Sequence, residues 1–168
     1  MSSIDTGRPF AGLVLMGVAL LASTCGPASA GDTTMQRGRY LTQAGNCVAC
    51  HTAEKGVNKG AAMAGGRALE TPFGTLYSTN ITPDLETGIG KYSFGQFDRA
   101  MRKGVAADGH NLYPAMPYPS YARMTAVDMH ALYAYLMLGV APVRQANKPS
   151  EMHWPFSMES SRPEPPAV

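Results

Sequence analysis

Residues 45–51 read G-N-C-V-A-C-H, so two cysteines lie three positions apart and a histidine follows the second one directly. This C-x-x-C-H pattern is typical of covalent attachment of a c-type haem. Two thiols at this spacing can add to the two vinyl groups of the porphyrin, and the next residue then lies under the iron as its proximal imidazole ligand. The motif predicts one covalent haem c on Cys47 and Cys50, with His51 as a metal ligand.

Other uses of these residues have to be weighed. An oxidising compartment would allow a disulfide, and C-x-x-C also occurs in redox enzymes. Redox sites of the thioredoxin kind follow a strand in a βαβ unit, which this sequence does not predict. A zinc site would need a fourth ligand, for which His110 is the candidate, but its surroundings do not resemble a zinc ribbon. The pattern therefore favours haem attachment.

The first thirty residues indicate export. An uncharged apolar stretch over residues 10–22 follows a basic residue and precedes small residues that end at Ala30, the order of a secretory signal peptide. The stretch is shorter than the ~20 residues that span a bilayer, so an N-terminal anchor is the weaker alternative. Attachment of a lipid to Cys25 is a still weaker alternative to cleavage of a signal peptide. We expect a signal peptide at 1–30 and a periplasmic or otherwise exported mature chain.

The composition leaves little aliphatic material for a core. The chain of 168 residues contains 18 glycines and 13 prolines, and only 29 Leu, Ile, Val and Phe residues. A buried apolar macrocycle would supply part of the missing interior surface. The formal net charge is +2 without a basic run, which is not the pattern of a nucleic-acid-binding protein. No nucleic-acid partner is therefore expected.

Helix signals occur at three places. The first helix is predicted over residues 34–43, with Thr34 as a candidate N-cap. The second spans residues 93–103, where a serine and a glutamine three positions later form a capping box and a glycine follows the end. The third begins after Thr125 and ends at Gly139. The predicted architecture is mainly α-helical.

Loop signals fill the intervals. Residues 52–92 are rich in Gly, Pro, Thr and Asn and predict a long wrapping segment, with at most a brief extended stretch near 75–78. Prolines in residues 110–121 argue against regular structure there. The tail over 142–168 is proline-rich, and we expect its last ten residues to be unstructured. Loops of this length are natural where a chain wraps a prosthetic group.

The opposite face of the iron requires a second ligand, and Met116 is the leading candidate. It lies between Pro114 and Pro117, whose fixed φ angles can hold a thioether in place. Methionines on predicted helices are expected to fill the core instead. The weaker ligand candidates are Met124, His110, His130 and His153. A methionine ligand favours the reduced state of the iron. It also occupies the coordination position that a peroxidase or gas sensor leaves open, so this ligation favours an electron-transfer function.

Three longer motifs resemble one family. They are T-P-F-G-T-L-Y-S-T-N-I-T-P-D from Thr71, E-T-G-I-G-K-Y-S from Glu86 and D-G-H-N-L-Y-P-A-M-P-Y from Asp108. The chain resembles a class I cytochrome c over residues 36–143, specifically the first haem domain of the cytochrome c subunit of bacterial membrane-bound alcohol, gluconate and sorbitol dehydrogenases. This resemblance implies a mainly α, class I cytochrome c fold, with helices packed around one covalent haem and long wrapping loops.

The resemblance also implies roles for individual residues. It places His51 at the proximal and Met116 at the axial-methionine position, Asn80 and Tyr118 near the haem, and Arg67 beside a haem propionate. It further implies that the helix before the haem motif crosses the last helix, with a glycine at the contact. That contact joins Gly38 to the neighbourhood of Tyr135 and Leu136.

The implied organisation is a signal peptide at 1–30, a monohaem domain at 31–143 and a proline-rich tail at 144–168. Subunits of the family carry three C-x-x-C-H motifs, whereas this chain carries one, so it is either a single-haem relative or a piece of a longer chain. The expected function is electron carriage from a dehydrogenase subunit to a quinone, a cytochrome or an oxidase of the respiratory chain, with peripheral association with a membrane complex as a further possibility. The alternative is a peroxidase-like haem enzyme or gas sensor with a labile sixth ligand.

Overall fold

The structure of the protein is a computed structural model that describes residues 30–54 and 59–153. The predicted signal peptide, except for Ala30, and the last ten residues of the tail lie outside the described residues. The described part contains five helices and three strands. They are α1 (Ala30–Ala44), α2 (Cys47–Cys50), β1 (Ala68–Thr71), β2 (Gly74–Tyr77), α3 (Phe94–Lys103), α4 (Tyr118–Tyr121), α5 (Ala126–Leu138) and β3 (Glu151–Met152).

The crossing of α1 and α5 is the main helix contact. At Gly38 the two helices approach so closely that a Cβ would lie 2.5 Å from the Cβ of Tyr135 and 2.9 Å from the carbonyl carbon of Ala131. Glycine is the residue that allows this approach, since it has no side chain. The predicted contact between Gly38 and the neighbourhood of Tyr135 is therefore confirmed.

The core lies between α3, α5 and the loop that precedes α3. Its buried apolar residues are Met63, Ile89, Phe97, Met101, Met129, Leu132 and Leu136. Three of the seven are methionines, whose flexible thioethers fill irregular spaces that the few aliphatic residues leave. The expectation that methionines on predicted helices fill the core is confirmed, since Met101 and Met129 are buried in it and Met137 is partly buried against it. The phenol of Tyr133 on α5 donates to the backbone carbonyl of Tyr92 at 2.7 Å, which fixes α5 to the start of α3.

The ends of α3 and α5 follow the capping signals closely. Ser93 is the N-cap of α3 and forms a full capping box with Gln96. Gly104 closes α3 in the left-handed conformation, with φ 64°. Thr125 caps α5 by accepting a hydrogen bond from the backbone of Asp128. These predictions are confirmed because each depends on groups within one helical turn.

Three expectations about local structure were wrong. Helix α1 is already formed at Ala30, so Thr34 lies inside it instead of at its N-cap. The segment 110–121 does contain a helix, α4, since Pro119 lies in its first turn, where a missing N–H costs little. The brief extended stretch expected near 75–78 corresponds to β2, but residues 68–77 as a whole form a hairpin of two strands. The tail adds β3 to this hairpin. Strand β3 pairs antiparallel with β2, with Thr75 opposite Glu151, so the described tail lies against the domain.

None of the described helices is both long and apolar enough to cross a membrane.

Candidate functional site

The two cysteines and the histidine lie on one short helical turn. Helix α2 consists of Cys47–Cys50, and His51 is its C-cap, whose N–H donates to the carbonyl of Cys47. Residues three positions apart on a helix are neighbours on one face, so this turn places both thiols on the same side. Asn46 opens the turn in the left-handed conformation, with φ 53°. The local fold thus presents two thiols and an imidazole from five consecutive residues.

Both thiols are free in the structure. Burial raises the pKa of the Cys47 thiol, and the neighbouring Cys50 raises it further. Reactive redox cysteines have the opposite shift, a lowered pKa that stabilises the thiolate at neutral pH. Within residues 30–54 and 59–153, no three His, Cys, Asp or Glu side chains are grouped so as to hold a metal ion. The geometry therefore gives no support to the redox and zinc alternatives.

The imidazole of His51 is oriented by a backbone carbonyl. Its Nδ1 lies 2.7 Å from the carbonyl oxygen of Thr79 and donates to it, which leaves Nε2 with a free lone pair. Burial lowers the pKa of His51, which favours the neutral ring. A neutral imidazole with Nδ1–H held by a carbonyl is the usual form of a metal-ligating histidine. The donor set of Cys47, Cys50 and His51 therefore fits a covalently attached haem.

Asn80, which was predicted near the haem, is buried and makes structural hydrogen bonds. Its Nδ2 donates to the carbonyl of Val143 at 2.7 Å, and its Oδ1 accepts from the hydroxyl of Thr82 at 2.7 Å and from the Thr82 N–H. Thr79, whose carbonyl accepts from His51, directly precedes Asn80, so these hydrogen bonds fix the loop one residue after that carbonyl. The side chain of Asn80 holds this loop in place, and its nearness to the haem stays a prediction.

Met116 is half-buried and packs against the core between two proline-containing turns. The N–H of Tyr118 donates to the carbonyl of Met116 at 2.8 Å, which tightens the backbone directly after it. Helix α4 follows, and the phenol of Tyr121 donates to the carbonyl of Gly45, two residues before Cys47. The segment after Met116 is therefore anchored to the turn that carries the cysteines.

Tyr121 is close enough to the thiols for their charges to interact. Burial raises the pKa of its phenol, and the ionised forms of Cys47 and Cys50 raise it further. No sequence pattern singles out this tyrosine, since a hydrogen bond to a backbone carbonyl 76 residues away has no local signal. The structure thus adds Tyr121 to the residues around the motif.

The remaining predicted residues have identifiable partners. The guanidinium of Arg67 forms an ion pair with Glu54 at 2.7 Å, so its role beside a propionate stays a prediction. The ring of Tyr118 covers Gly104 at the end of α3. His110 is held by Asp108 at 2.5 Å in an exposed turn. His130, another weak ligand candidate, is exposed and stacks on a phenylalanine of α3.

Sequence reasoning also missed the segment 143–147. It lies across the loops that hold His51, and three of its residues, Val143, Gln145 and Asn147, form hydrogen bonds with them. Gln145 and Asn147 are polar residues of the proline-rich tail, for which the sequence indicated no particular contacts. The partners of the segment are side chains and backbone groups that lie 58 to 81 residues away along the chain, and a sequence does not reveal such pairings.

Comparison with known proteins adds a family match. The family model for cytochrome c matches residues 35–138. The gluconate 2-dehydrogenase cytochrome c subunit of Pantoea cypripedii is 59% identical over 129 residues, which are 77% of this chain and 28% of that protein. The cytochrome c subunit of the quinone-dependent alcohol dehydrogenase of Gluconacetobacter polyoxogenes is 54% identical, over 77% of this chain and 27% of that protein.

A third relative has a different substrate in its name. One subunit of the nicotinate dehydrogenase of Pseudomonas putida is 55% identical over 73% of this chain, which corresponds to 10% of that protein. The chain thus spans less than a third of the length of these three relatives. The matched segment is one that dehydrogenases with unrelated substrates have in common.

Proposed function

Because the chain belongs to the cytochrome c family, we propose that it is an electron carrier with one covalent haem c, ligated by His51 and Met116. The observation that carries the proposal is the hydrogen bond from His51 Nδ1 to the Thr79 carbonyl, directly beside two free thiols on one helical turn. Cys47 and Cys50 would hold the haem through thioether bonds. When bound, the haem supplies an iron that takes up and releases one electron.

The protein residues have three tasks in this function. His51 keeps Nε2 available for the iron because its other nitrogen is committed to Thr79. Met116 would provide a thioether, a ligand that favours the reduced state relative to a second histidine. The packing of the half-buried Met116 against the methionine-rich core would limit the access of water to the iron. None of these tasks requires a substrate-binding pocket, so the proposal is a carrier and not an enzyme.

We propose a dehydrogenase subunit as the electron donor, since the relatives are named as cytochrome c subunits or dehydrogenase subunits. A quinone, a cytochrome or an oxidase would be the acceptor. The relatives act on gluconate, alcohol and nicotinate by their names, so the likeness does not select the donor's substrate. We also propose that residues 1–30 direct export to the periplasm and that residues 31–143 form the haem domain.

The test is production of the chain in a host with a cytochrome c maturation system. We expect a red protein whose haem stays bound under denaturing conditions, and loss of covalent haem in Cys47→Ser and Cys50→Ser. Met116→Ala should change the oxidised and reduced spectra and lower the reduction potential. Met124→Ala is the matched control, because Met124 also packs against the core next to this loop.

Three results would contradict the proposal in whole or in part. A folded but colourless protein from such a host would remove the haem and with it the electron-carrier function. Rapid and complete carbon monoxide binding by the reduced wild-type protein would indicate a labile sixth ligand and favour the haem enzyme or gas sensor. A spectral change in Met124→Ala but not in Met116→Ala would reassign the axial ligand.

A further inference from the structure

The segment 143–147, which we call the strap, forms hydrogen bonds with the two loops that contact His51. Its residue Gln145 donates through Nε2 to the carbonyls of Ala64 and Gly65, at 2.8 and 3.0 Å. The N–H of Gly65 in turn donates to the carbonyl of His51 at 2.8 Å. The strap follows residue 138, where the cytochrome c family match ends. The strap therefore adds contacts around His51 from residues beyond the part that the cytochrome c family model matches.

One peptide group of the neighbouring loop is held at both ends. Its carbonyl, that of Thr79, accepts from His51 Nδ1 at 2.7 Å. Its N–H, that of Asn80, donates to Oδ1 of Asn147 in the strap at 2.7 Å. Gly65 packs against its face, since a Cβ there would lie 2.6 Å from both the Asn80 nitrogen and the Thr79 oxygen. The peptide thus links the imidazole to the strap with little freedom to rotate.

Hydrogen bonds in series polarise one another. An acceptor on the N–H of a peptide increases the negative charge on its carbonyl oxygen, so Asn147 strengthens Thr79 as an acceptor for the His51 N–H. A stronger acceptor gives the imidazole more imidazolate character and makes it a more basic iron ligand. A more basic ligand stabilises the ferric state and lowers the reduction potential.

We propose that Asn147 is a positioning residue that tunes the reduction potential of the haem iron through the peptide between Thr79 and Asn80. The inference rests on the proposed function, because it requires a haem ligated by His51. It goes beyond that function by assigning a redox role to a residue of the tail. Asn147 itself is exposed, so it can be substituted without opening the core.

The experiment measures the midpoint potential of the haem-loaded full chain in a series of variants. Asn147→Ala and Asn147→Leu remove the acceptor, and both should raise the potential. Asn147→Asp keeps an acceptor at the same place and adds negative charge, and it should lower the potential. Ser150→Ala is the matched control three residues after Asn147, because it removes an acceptor for the N–H of Tyr77, which is not linked to His51. Ser150→Asp controls for the added charge.

A second readout follows the hydrogen bond itself. In the reduced protein, Asn147→Ala should move the amide proton resonance of Asn80 upfield and speed its exchange with solvent, while Ser150→Ala leaves that amide unchanged. Unfolding in urea, followed for every variant, reports whether the domain as a whole has been loosened.

The outcomes separate the tuning role from a structural one. Opposite shifts for Asn147→Leu and Asn147→Asp, with no shift in Ser150→Ala and a smaller one in Ser150→Asp, would support the proposal. Equal shifts in the Asn147 and Ser150 variants, or no shift at all, would overturn it. If the protein binds haem normally but its midpoint potential is the same in all Asn147 variants, this inference alone is overturned. A colourless wild-type chain would overturn the proposed function as well.

Discussion

The contact at Gly38 makes a quantitative test of the helix crossing. In Gly38→Ala the new Cβ would lie 2.5 Å from the Cβ of Tyr135 and also against the carbonyl of Ala131. Carbon atoms in ordinary contact are about 3.5–4.0 Å apart, so α1 and α5 would have to separate by roughly 1 Å. Neither neighbour can move aside as a side-chain rotamer would, because one is backbone and the other is a Cβ.

The expected cost follows from two opposing contributions. Overpacking costs about 1–3 kcal/mol, and a clash with backbone belongs at the upper end of that range. Alanine in place of glycine within a helix returns about 1 kcal/mol of helix propensity. The net loss in the free energy of unfolding is about 2 kcal/mol, roughly thirtyfold in the unfolding equilibrium. For a domain of this size the Tm should fall by roughly 7 °C.

The control is Gly95→Ala in α3, where a Cβ would meet no atom within 4 Å. This variant gains propensity without a clash, so it should be as stable as the wild type or up to about 1 kcal/mol more stable. Urea unfolding of both haem-loaded variants, followed by far-ultraviolet circular dichroism, makes the comparison. If Gly38→Ala proved as stable as Gly95→Ala, the close approach of α1 to α5 would be wrong.

Three further predictions concern groups away from this crossing. Asn80→Ala should destabilise the domain by about 3 kcal/mol in urea unfolding, because it leaves several buried partners without hydrogen bonds, whereas Asn111→Ala at an exposed position should not. Thr125→Ala removes the N-cap of α5 and should cost about 1 kcal/mol in the same assay, while Thr125→Ser should retain most of it. The hydrogen bond and charge of Arg37 lower the pKa of Asp128, so the stability that this pair contributes is present above the carboxyl's unfolded pKa and is lost as the pH falls through its lower folded value. An NMR titration in which Arg37→Gln leaves the pKa of Asp128 unchanged would contradict this pairing.

The turn that carries Cys47, Cys50 and His51 was predictable because its geometry depends on neighbouring residues. Two cysteines and a histidine within five positions need only one turn of helix to bring their side chains together, and α2 is that turn. The caps at Ser93, Gly104 and Thr125 were predictable for the same reason, since a cap is made by groups within four residues of the helix end. Local patterns predict local geometry.

The sheet and α4 were not predictable in this way. Strand β3 contains two residues, and it exists because the edge of β2 offers backbone groups that need partners. Helix α4 contains a proline, and the tyrosine at its end reaches back to the carbonyl of Gly45. Both elements depend on contacts with residues that are far away in the chain. Secondary-structure propensity reflects only neighbouring residues, so it does not predict such contacts.

The sequence by itself determined the thiol pair, the adjacent imidazole, the caps of α3 and α5 and the small residue at the α1–α5 crossing. Only the tertiary structure decided what orients that imidazole. The carbonyl of Thr79 and the strap side chain that holds the same peptide come from segments 28 and 96 residues after His51, and they meet it only in the folded chain. The physical reason is that every residue carries a backbone carbonyl and all but proline carry an N–H. Which of these backbone groups pair with each other therefore depends on the path of the folded chain and not on the identity of the side chains.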